Sequence, residues 1–302
     1  MWQSLLGQLI SGDVKALARS ISFVEAEQPG YKDFMEALPL NGTPKIIGIT
    51  GPPGAGKSTL TDRLIGELVN AGNKVAVLCV DPSSPFNLGA LLGDRIRMSQ
   101  WYTHPSVFIR SLATRGAMGG LHPKIIEISD LLKAAAYDYI IVETVGVGQS
   151  EIEIAGLADV TVVVLVPEAG DEIQTMKAGL MEIADIFVVN KSDRPDASAF
   201  VKNLRSMLAP AFSNRLRELP IIATVAQEGK GTGELVTAIE QILKDPIANE
   251  KKSWLLTEKL YQLIQKERMQ NIDKAVIKKE IEKAATNEGF NLYRLLLPYR
   301  VS

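Results

Sequence analysis

The sequence predicts an α/β fold in which a mostly parallel sheet is flanked by helices on both faces. From Lys45 onward, short β-rich runs alternate with stretches of helical spacing, which is typical of successive βαβ units. One run, VTVVVLV from Val160, is apolar on both faces, as expected for a strand that helices cover from each side. The predicted strands are Ile46–Thr50, Val75–Val80, Val107–Arg110, Tyr139–Glu143, Val160–Val166, Ile186–Asn190 and Ile221–Thr224.

The sequence on either side of this region is helical. Residues 1–40 keep apolar residues on one helical face around a break and recap at Ser11–Asp13. After about Pro246 the strands stop, and apolar residues continue at helical spacing to Gly289. We therefore predict a helical N-terminal extension over 1–40, an α/β domain over 41–246 and a helical C-terminal arm over 247–302. The arm has little around it to bury its apolar stripe, which favours a homodimer; the alternative is that it folds back on its own domain.

Composition argues against several classes of protein. The 302 residues are 46% hydrophobic and 23% charged, with a net charge of −2, so no global basic field favours nucleic acid. No apolar run approaches the roughly 18 residues of a membrane helix, and the N-terminus lacks a basic segment before its apolar one. Cys79 lies in an apolar run and reads as a core residue in a reducing compartment, whereas two isolated histidines, His104 and His122, make a poor metal site. We expect a cytoplasmic protein that binds neither membrane nor nucleic acid.

A phosphate-binding loop follows the first predicted strand. Residues 51–58, GPPGAGKS, fill the pattern G-x-x-x-x-G-K-[ST], and glycines there let consecutive N–H groups point at one anion where a helix begins near Lys57. Lys57 is expected to reach the β- and γ-phosphates, and the Ser58 hydroxyl to bind Mg²⁺. A plain Gly/Pro turn is the alternative, but it has no need for Lys-Ser at this offset. The predicted nucleotide-binding residues here are Gly51, Pro52, Pro53, Gly54, Ala55, Gly56, Lys57, Ser58 and Thr59.

Three carboxylates lie at or beyond predicted strand ends. Asp81 ends the second strand, Asp94 follows in a loop, and Glu143 ends the fourth strand. Neighbouring acids repel one another unless a divalent cation is bound, although each could singly be a helix cap or a solvated charge. Glu143-Thr-Val-Gly146 has the spacing of a switch that senses the γ-phosphate. The predicted metal ligands are Ser58, Asp81, Asp94 and Glu143, and the predicted catalytic residues are Lys57, Asp94, Glu143 and Gly146.

The run Asn190-Lys191-Ser192-Asp193 indicates the base. A carboxylate in the ring plane accepts from guanine N1–H and the exocyclic amine, whereas adenine N1 is itself an acceptor, so the run favours GTP and GDP over ATP. Thr224-Val225-Ala226 could place backbone amides against guanine O6, or be an ordinary turn. The predicted base-side residues are Asn190, Lys191, Asp193, Thr224, Val225 and Ala226.

Hydrolysis is expected to be slow. Val147 follows Gly146, where many GTPases place a water-positioning Gln, and Gln149 lies further along. Stretches 81–97, 146–151 and 168–177 are rich in loop-forming residues, and we expect them to be mobile until the γ-phosphate and a partner order them. Candidates for an arginine that stabilises the transferring charge are Arg95, Arg97 and Arg115, although each could equally be solvated or paired with an acid.

Five stretches of the chain together resemble the MeaB/ArgK family of P-loop GTPases, and the resemblance spans about residues 10–245. These stretches are GPPGAGKSTL, DPSSPFNLGALLGDRIRM, ETVGVGQSE, VPEAGDEIQTMKAGLMEIAD and NKSD. The resemblance implies a chaperone that gates adenosylcobalamin delivery to methylmalonyl-CoA mutase or a related acyl-CoA mutase and protects that enzyme. It also implies that Lys57, Ser58, Asp81, Asp94 and Glu143 form the phosphate and magnesium site. By the same resemblance, residues 171–177 form a switch facing the mutase, and the C-terminal helices dimerise. Glu168 departs from the family, which usually has glycine there.

Other classes fit less well. Nickel or zinc metallochaperone GTPases generally carry His-rich or Cys-rich motifs, and signal-recognition GTPases need a Met-rich domain; the sequence offers neither. A kinase acting on a periplasmic amino-acid-binding protein stays open, because a phosphate loop with Mg²⁺ serves transfer to water and to a side chain alike. A binding module without hydrolysis is disfavoured by the intact Lys57, Ser58, Asp81 and Glu143.

Overall fold

The structure is a computed structural model that describes residues 2–39, 42–81, 98–113, 121–144, 150–169, 182–211, 219–244, 250–285 and 290–299. The chain divides into two compact units, Met1–Lys252 and Ser253–Ser302. The division predicted at residues 40 and 246 stays a prediction.

The first unit is built on a sheet of seven parallel strands. The strands are β1 Lys45–Thr50, β2 Val75–Asp81, β3 Val107–Ala113, β4 Tyr139–Thr144, β5 Val160–Leu165, β6 Ile186–Val189 and β7 Ile221–Ala223. Their order across the sheet is β3-β2-β4-β1-β5-β6-β7, and every neighbouring pair is parallel. The predicted α/β class is confirmed. Strands β6 and β7 each end one residue earlier than predicted, so Asn190 and Thr224 begin the loops that follow.

Helices cover this sheet. Their bounds are α1 Trp2–Ile10, α2 Val14–Glu25, α3 Tyr31–Glu36, α4 Lys57–Asn70, α5 Ile125–Ala134, α6 Ser150–Leu157, α7 Ala197–Ala211 and α8 Thr232–Lys244. The predicted recap after Ser11 is confirmed, because the Asp13 carboxylate accepts hydrogen bonds from the backbone N–H groups of Lys15 and Ala16. Helix α2 packs against α5, and Glu25 of α2 pairs with Arg110 of β3 at 2.7 Å. The N-terminal helices are therefore part of the first unit.

The core of the first unit lies on both faces of the sheet. Strand β5 is buried at all six positions, as its run of β-branched residues predicts. One apolar cluster joins β1, β2, β4, β5 and β6 to α4 and α8, and a second joins β5 and β6 to α7. Cys79 is 3% exposed within the first cluster, which confirms its predicted core position. Burial on both faces leaves the strand ends as the place where polar side chains gather.

The second unit is helical. It contains most of α9 Glu250–Arg268, all of α10 Lys274–Ala284 and α11 Leu292–Leu295, and a short 3-10 turn over Leu297–Tyr299. Asp273 caps the N-terminus of α10, and its carboxylate accepts from the Ala275 N–H. Many of the unit's large apolar side chains are exposed in the single chain; on α9 alone they are Trp254, Leu256, Leu260, Tyr261, Leu263 and Ile264. Among the described residues, none of the helices has the length and apolar character required to cross a membrane.

Candidate nucleotide-binding site

The predicted phosphate loop joins β1 to α4 at the carboxyl end of the sheet. Two of its glycines are required by their surroundings. Gly51 has φ +138° and Gly56 has φ +87°, a region that residues with a Cβ rarely adopt. A Cβ on Gly51 would lie 2.1 Å from the Val164 carbonyl oxygen, and one on Gly56 would lie 2.4 Å from Asn190 Nδ2. The loop therefore closes tightly against β5 on one side and against the start of the NKSD loop on the other.

Lys57 is the first residue of α4 and is only 7% exposed. Its Nζ donates to the carbonyl oxygens of Gly51 at 2.8 Å and Pro52 at 3.0 Å. These bonds fold the ammonium back over the loop that it follows. A buried ammonium held beside a loop of this kind can transfer its hydrogen bonds to phosphate oxygens without a large movement of the backbone.

Glu143 is the buried carboxylate of the site. It follows Val142 in β4, is 5% exposed, and accepts a hydrogen bond at each oxygen. Ser58 Oγ donates to its Oε1 at 2.6 Å, and Thr61 Oγ1 donates to its Oε2 at 2.7 Å. Both donors lie on the first turns of α4, three residues apart and therefore on one helical face. The structure thus brings together the predicted Ser58 and Glu143, and adds Thr61.

The other predicted metal and switch residues lie outside what the structure describes. This holds for Asp94 and Gly146, and for the side chain of Asp81, whose backbone ends β2. Residues 171–177 and the arginines at 95, 97 and 115 also fall outside the described ranges. Within those ranges, no group of three or more His, Cys, Asp or Glu side chains is placed to hold a metal ion. The four-residue magnesium set therefore stays a prediction.

Asn190 connects the phosphate loop with the base side of the site. Its side chain is buried, and Nδ2 donates to the Ala55 carbonyl oxygen at 2.9 Å. Oδ1 accepts from Thr224 Oγ1 and from the Ala226 N–H, each at 3.1 Å. One amide side chain thus fixes three segments: its own loop, the phosphate loop and the loop after β7. This arrangement explains why asparagine, with both donors and an acceptor, occupies the position.

Most of the predicted base-side residues line one pocket. Asp193 is exposed at its edge, and Lys191, which adopts φ +57°, donates from Nζ to the Gly54 carbonyl oxygen at 2.8 Å. The lining residues are Gly56, Thr59, Asn190, Lys191, Asp193, Arg194, Val225, Ala226 and Gln227. Five of the six predicted base-side residues therefore face one cavity beside the phosphate loop, whereas the buried Thr224 does not line it.

The backbone amides predicted to contact guanine O6 already have acceptors. The Thr224 N–H donates to the Val189 carbonyl oxygen at 2.9 Å, and the Val225 N–H donates to the Lys230 carbonyl oxygen at 3.1 Å. The Ala226 N–H donates to Asn190 Oδ1. To contact a base, each of these N–H groups would have to divide its hydrogen bond between the base and its present acceptor. The predicted contact with guanine O6 therefore stays a prediction.

Sequence reasoning missed four residues at the site. Thr61 could have been found from its spacing to Ser58. Gln227 and Arg194 each directly follow a predicted segment, whereas Arg63 carries no motif signal.

Arg194 also pairs with Glu168, and this hydrogen bond, together with the nearby positive charge, lowers the pKa of the Glu168 carboxyl below its ordinary value. Both side chains are about half exposed, so the pair contributes little to stability.

A phosphate loop closing on α4 and an NKSD loop at the same sheet edge define the class of P-loop GTPases. Residues 17–285 match the family described as "Methylmalonyl Co-A mutase-associated GTPase MeaB". The chain belongs to this family, which confirms the resemblance seen in its motifs. Guanine-nucleotide binding is the property that membership of this GTPase family implies.

Relatives and solved structures agree with this assignment. A Pyrococcus abyssi protein provisionally named a GTPase is 49% identical over 248 residues, covering 80% of this chain and 76% of that protein. The "Fused isobutyryl-CoA mutase" of Geobacillus kaustophilus is 35% identical over 268 residues, covering 83% of this chain but 25% of that protein. The crystal structure of a protein named "LAO/AO transport system kinase" is 26% identical with a TM-score of 0.68, covering 99% of this chain and 92% of that one.

Proposed function

We propose that this chain is a GTP-hydrolysing chaperone that gates adenosylcobalamin delivery to an acyl-CoA mutase and protects that enzyme. The observation that carries the proposal is the Geobacillus kaustophilus relative, in which a segment similar to most of this chain is part of a protein named as a mutase. Fusion of two activities in one polypeptide favours physical association of the same activities when they are on separate chains. The family description supports the same partner class.

The described residues support separate roles for different groups in GTP binding, with some binding the phosphates and others the base. Lys57 would release the carbonyl oxygens of Gly51 and Pro52 and donate to the β- and γ-phosphates, close to where the transferring charge develops. The backbone amides of the loop would surround the phosphates. Asp193, at the pocket edge, would accept from the N1–H and the exocyclic amine of guanine.

We propose that Mg²⁺ would bind beside the phosphate loop. Ser58 Oγ and Glu143 Oε1 are 2.6 Å apart at the end of the phosphate loop, and hard oxygen donors beside a buried carboxylate are the ligands that this ion prefers. Asp81 and Asp94 would complete the set. When bound, Mg²⁺ neutralises charge on the β- and γ-phosphates. Glu143 would hold the Ser58 hydroxyl in place, because that hydroxyl donates to it.

Turnover by the chain alone would be slow, and the mutase would accelerate it. Val147 replaces a water-positioning side chain, so a partner that orders the switch segments would supply what the chain lacks. We expect an adenosylcobalamin-dependent acyl-CoA mutase from the same cell to raise kcat for GTP by roughly 10-fold or more. Neutralising the charges of residues 171–177 is expected to abolish the stimulation and to leave basal hydrolysis nearly intact.

The test is steady-state phosphate release with and without purified mutase, with Lys57→Ala as the control for phosphate release by contaminants. The second candidate function is a kinase, which the name of the solved relative favours. Two results together would support the kinase. No candidate mutase would stimulate GTP hydrolysis, and radiolabelled phosphate would be transferred from GTP to a periplasmic binding protein. For a metallochaperone that serves another metalloenzyme, the described residues offer no cluster of metal-binding side chains.

The C-terminal arm would form a homodimer. Leu260 is 59% exposed and Trp254 53% exposed in the single chain, so α9 presents an apolar surface that a second copy would cover. Light scattering is expected to give a dimer mass for the chain and a monomer mass for Leu260→Glu, with Gln262→Glu as a control that adds the same single negative charge at an exposed position two residues away. Equal masses for all three proteins would contradict this role. The cytoplasmic location expected from the sequence stays a prediction.

A further inference from the structure

Arg63 connects the helix of the phosphate loop to a wall of the base pocket. It lies on α4, six residues after Lys57. Its Nε donates to the Ala226 carbonyl oxygen at 2.9 Å, and its Nη2 donates to the Gln227 carbonyl oxygen at 2.5 Å. A guanidinium can hold two successive carbonyl oxygens because its donors form a rigid fork.

The segment that Arg63 holds is fixed on its other side as well. Ala226 and Gln227 line the same pocket as Asp193. Asn190 Oδ1 accepts the Ala226 N–H at 3.1 Å, while Arg63 binds the carbonyl oxygen of the same residue. The backbone of Ala226 is therefore held at its donor by the base-recognition loop and at its acceptor by the phosphate-loop helix.

The orientation of the next amide follows from peptide geometry. In a trans peptide the N–H of one residue points opposite to the carbonyl of the residue before it. Because Arg63 binds the Ala226 carbonyl, the Gln227 N–H points away from Arg63. A purine whose N1 edge pairs with Asp193 carries its 6-oxo group on the ring carbon beside N1, so that group would lie near other residues that line the same pocket, among them Ala226 and Gln227.

We propose that Arg63 is a positioning residue for base selectivity, which sets the Gln227 N–H as the donor to the 6-oxo group of a guanine nucleotide. The proposal rests on the GTP binding proposed above and names the residue that fixes one of its contacts. Asp193 would read the N1 edge directly, and Arg63 would act only through the backbone that it holds. Loss of Arg63 would thus weaken recognition of the 6-oxo group and leave the N1 edge unchanged.

The experiment compares three diphosphates on four proteins. GDP carries both recognition features, inosine diphosphate lacks the exocyclic amine, and 6-thio-GDP replaces the 6-oxo oxygen with a poor acceptor. The proteins are the unmutated chain, Arg63→Met, Arg63→Lys and Glu67→Gln. Glu67 is the matched control, because it also joins α4 to the region after β7, accepting from Thr232 Oγ1 at 3.1 Å, but does not line the pocket.

We expect Arg63→Met to lose about 10-fold in affinity for GDP and for inosine diphosphate, and less than about 2-fold for 6-thio-GDP. Arg63→Lys, which keeps one donor, is expected to recover part of the loss, and Glu67→Gln is expected to match the unmutated chain. In turnover, Arg63→Met should raise KM for GTP with kcat nearly unchanged, since it removes binding common to ground and transition states. Arg63→Lys carries the comparison if Arg63→Met does not fold.

Two results would overturn the proposal: GDP affinity unchanged in Arg63→Met, or equal losses for GDP and 6-thio-GDP, which would mean that Arg63 only stabilises the helix and loop. Failure of the underlying function has a different signature. In that case the unmutated chain would bind GDP no better than ADP, whatever the Arg63 variants did.

Discussion

The phosphate side and the base side of the nucleotide site differ in how deeply their side chains are buried. Lys57, Ser58 and Glu143 are each at least nine-tenths buried and hold one another or the loop by hydrogen bonds. Asp193 and Arg194 are exposed at the pocket edge. If the site works as proposed, charge stabilisation would depend on side chains that are already in place, whereas base choice would depend on loops that Asn190 and Arg63 hold by hydrogen bonds. Mutations on the two sides should therefore change different measured quantities.

The largest effect is expected from Lys57→Ala on the phosphate side. It removes the buried ammonium that would bind the β- and γ-phosphates, and kcat for GTP is expected to fall on the order of 100-fold or more. Circular dichroism should show a retained fold. The ratio of GTP to ATP affinity should stay within about 3-fold of its original value, because the base side is untouched. Unchanged GTP hydrolysis would show that the phosphate loop is not the catalytic site.

Asp193→Asn makes the converse change on the base side. The new amide donates where the carboxylate accepted, so affinity for GDP is expected to fall roughly 100-fold while xanthosine diphosphate, which has a carbonyl in place of the amine, becomes the preferred ligand. Turnover of saturating xanthosine triphosphate should approach the original kcat for GTP. Titration calorimetry with both diphosphates measures the switch. Equal affinity of the unmutated chain for GTP and ATP would contradict the assignment of NKSD to the base.

The contact between Gly56 of the phosphate loop and Asn190 of the base side can be tested with a pair of glycines that have similar φ angles. Gly54 has φ +78° and Gly56 has φ +87°, so alanine is strained by about 1–2 kcal/mol at either position. A Cβ at Gly54 meets nothing within 4 Å, whereas one at Gly56 lies 2.4 Å from Asn190 Nδ2. Gly56→Ala should therefore displace Asn190 and cost about 10-fold more in GDP affinity than Gly54→Ala. Equal losses would show that Asn190 does not couple the two sides.

The parallel sheet could be predicted from the sequence because strands such as β5 are apolar on both faces, and that pattern follows directly from burial on both sides of the sheet. The sequence also located Lys57, Glu143 and Asn190, since motif spacing and strand ends fix their positions. It could not show the contacts of Arg63, which belongs to no motif, and the spacing of Thr61 to Ser58 does not by itself identify Glu143 as the partner of Thr61. Arg63 finds its acceptors 163 and 164 residues away, and Thr61 finds Glu143 at a separation of 82 residues. Contacts of this kind depend on how the helices pack on the sheet, which local patterns do not specify.

The smallest effect is expected from Thr61→Val, which tests how much the prearranged phosphate side depends on a single hydroxyl. The substitution preserves shape but removes the donor that lies 2.7 Å from Glu143 Oε2, and loss of a hydrogen bond to a buried carboxylate is expected to lower the free energy of unfolding by about 1–3 kcal/mol. Because Ser58 still donates to Oε1, the carboxylate should stay in place, and kcat for GTP should fall only about 3-fold.

The matched control for this change is Thr237→Val on α8, whose hydroxyl bonds to the carbonyl of Gly233 in its own helix and is exposed. It should change the unfolding free energy by less than about 0.5 kcal/mol. Urea denaturation of both variants gives the comparison. If Thr61→Val were as stable as the control, Glu143 would not depend on its second hydroxyl. If it lost activity as completely as Lys57→Ala, the carboxylate would be held by both hydroxyls together, and the phosphate side would be far less tolerant than its burial indicates.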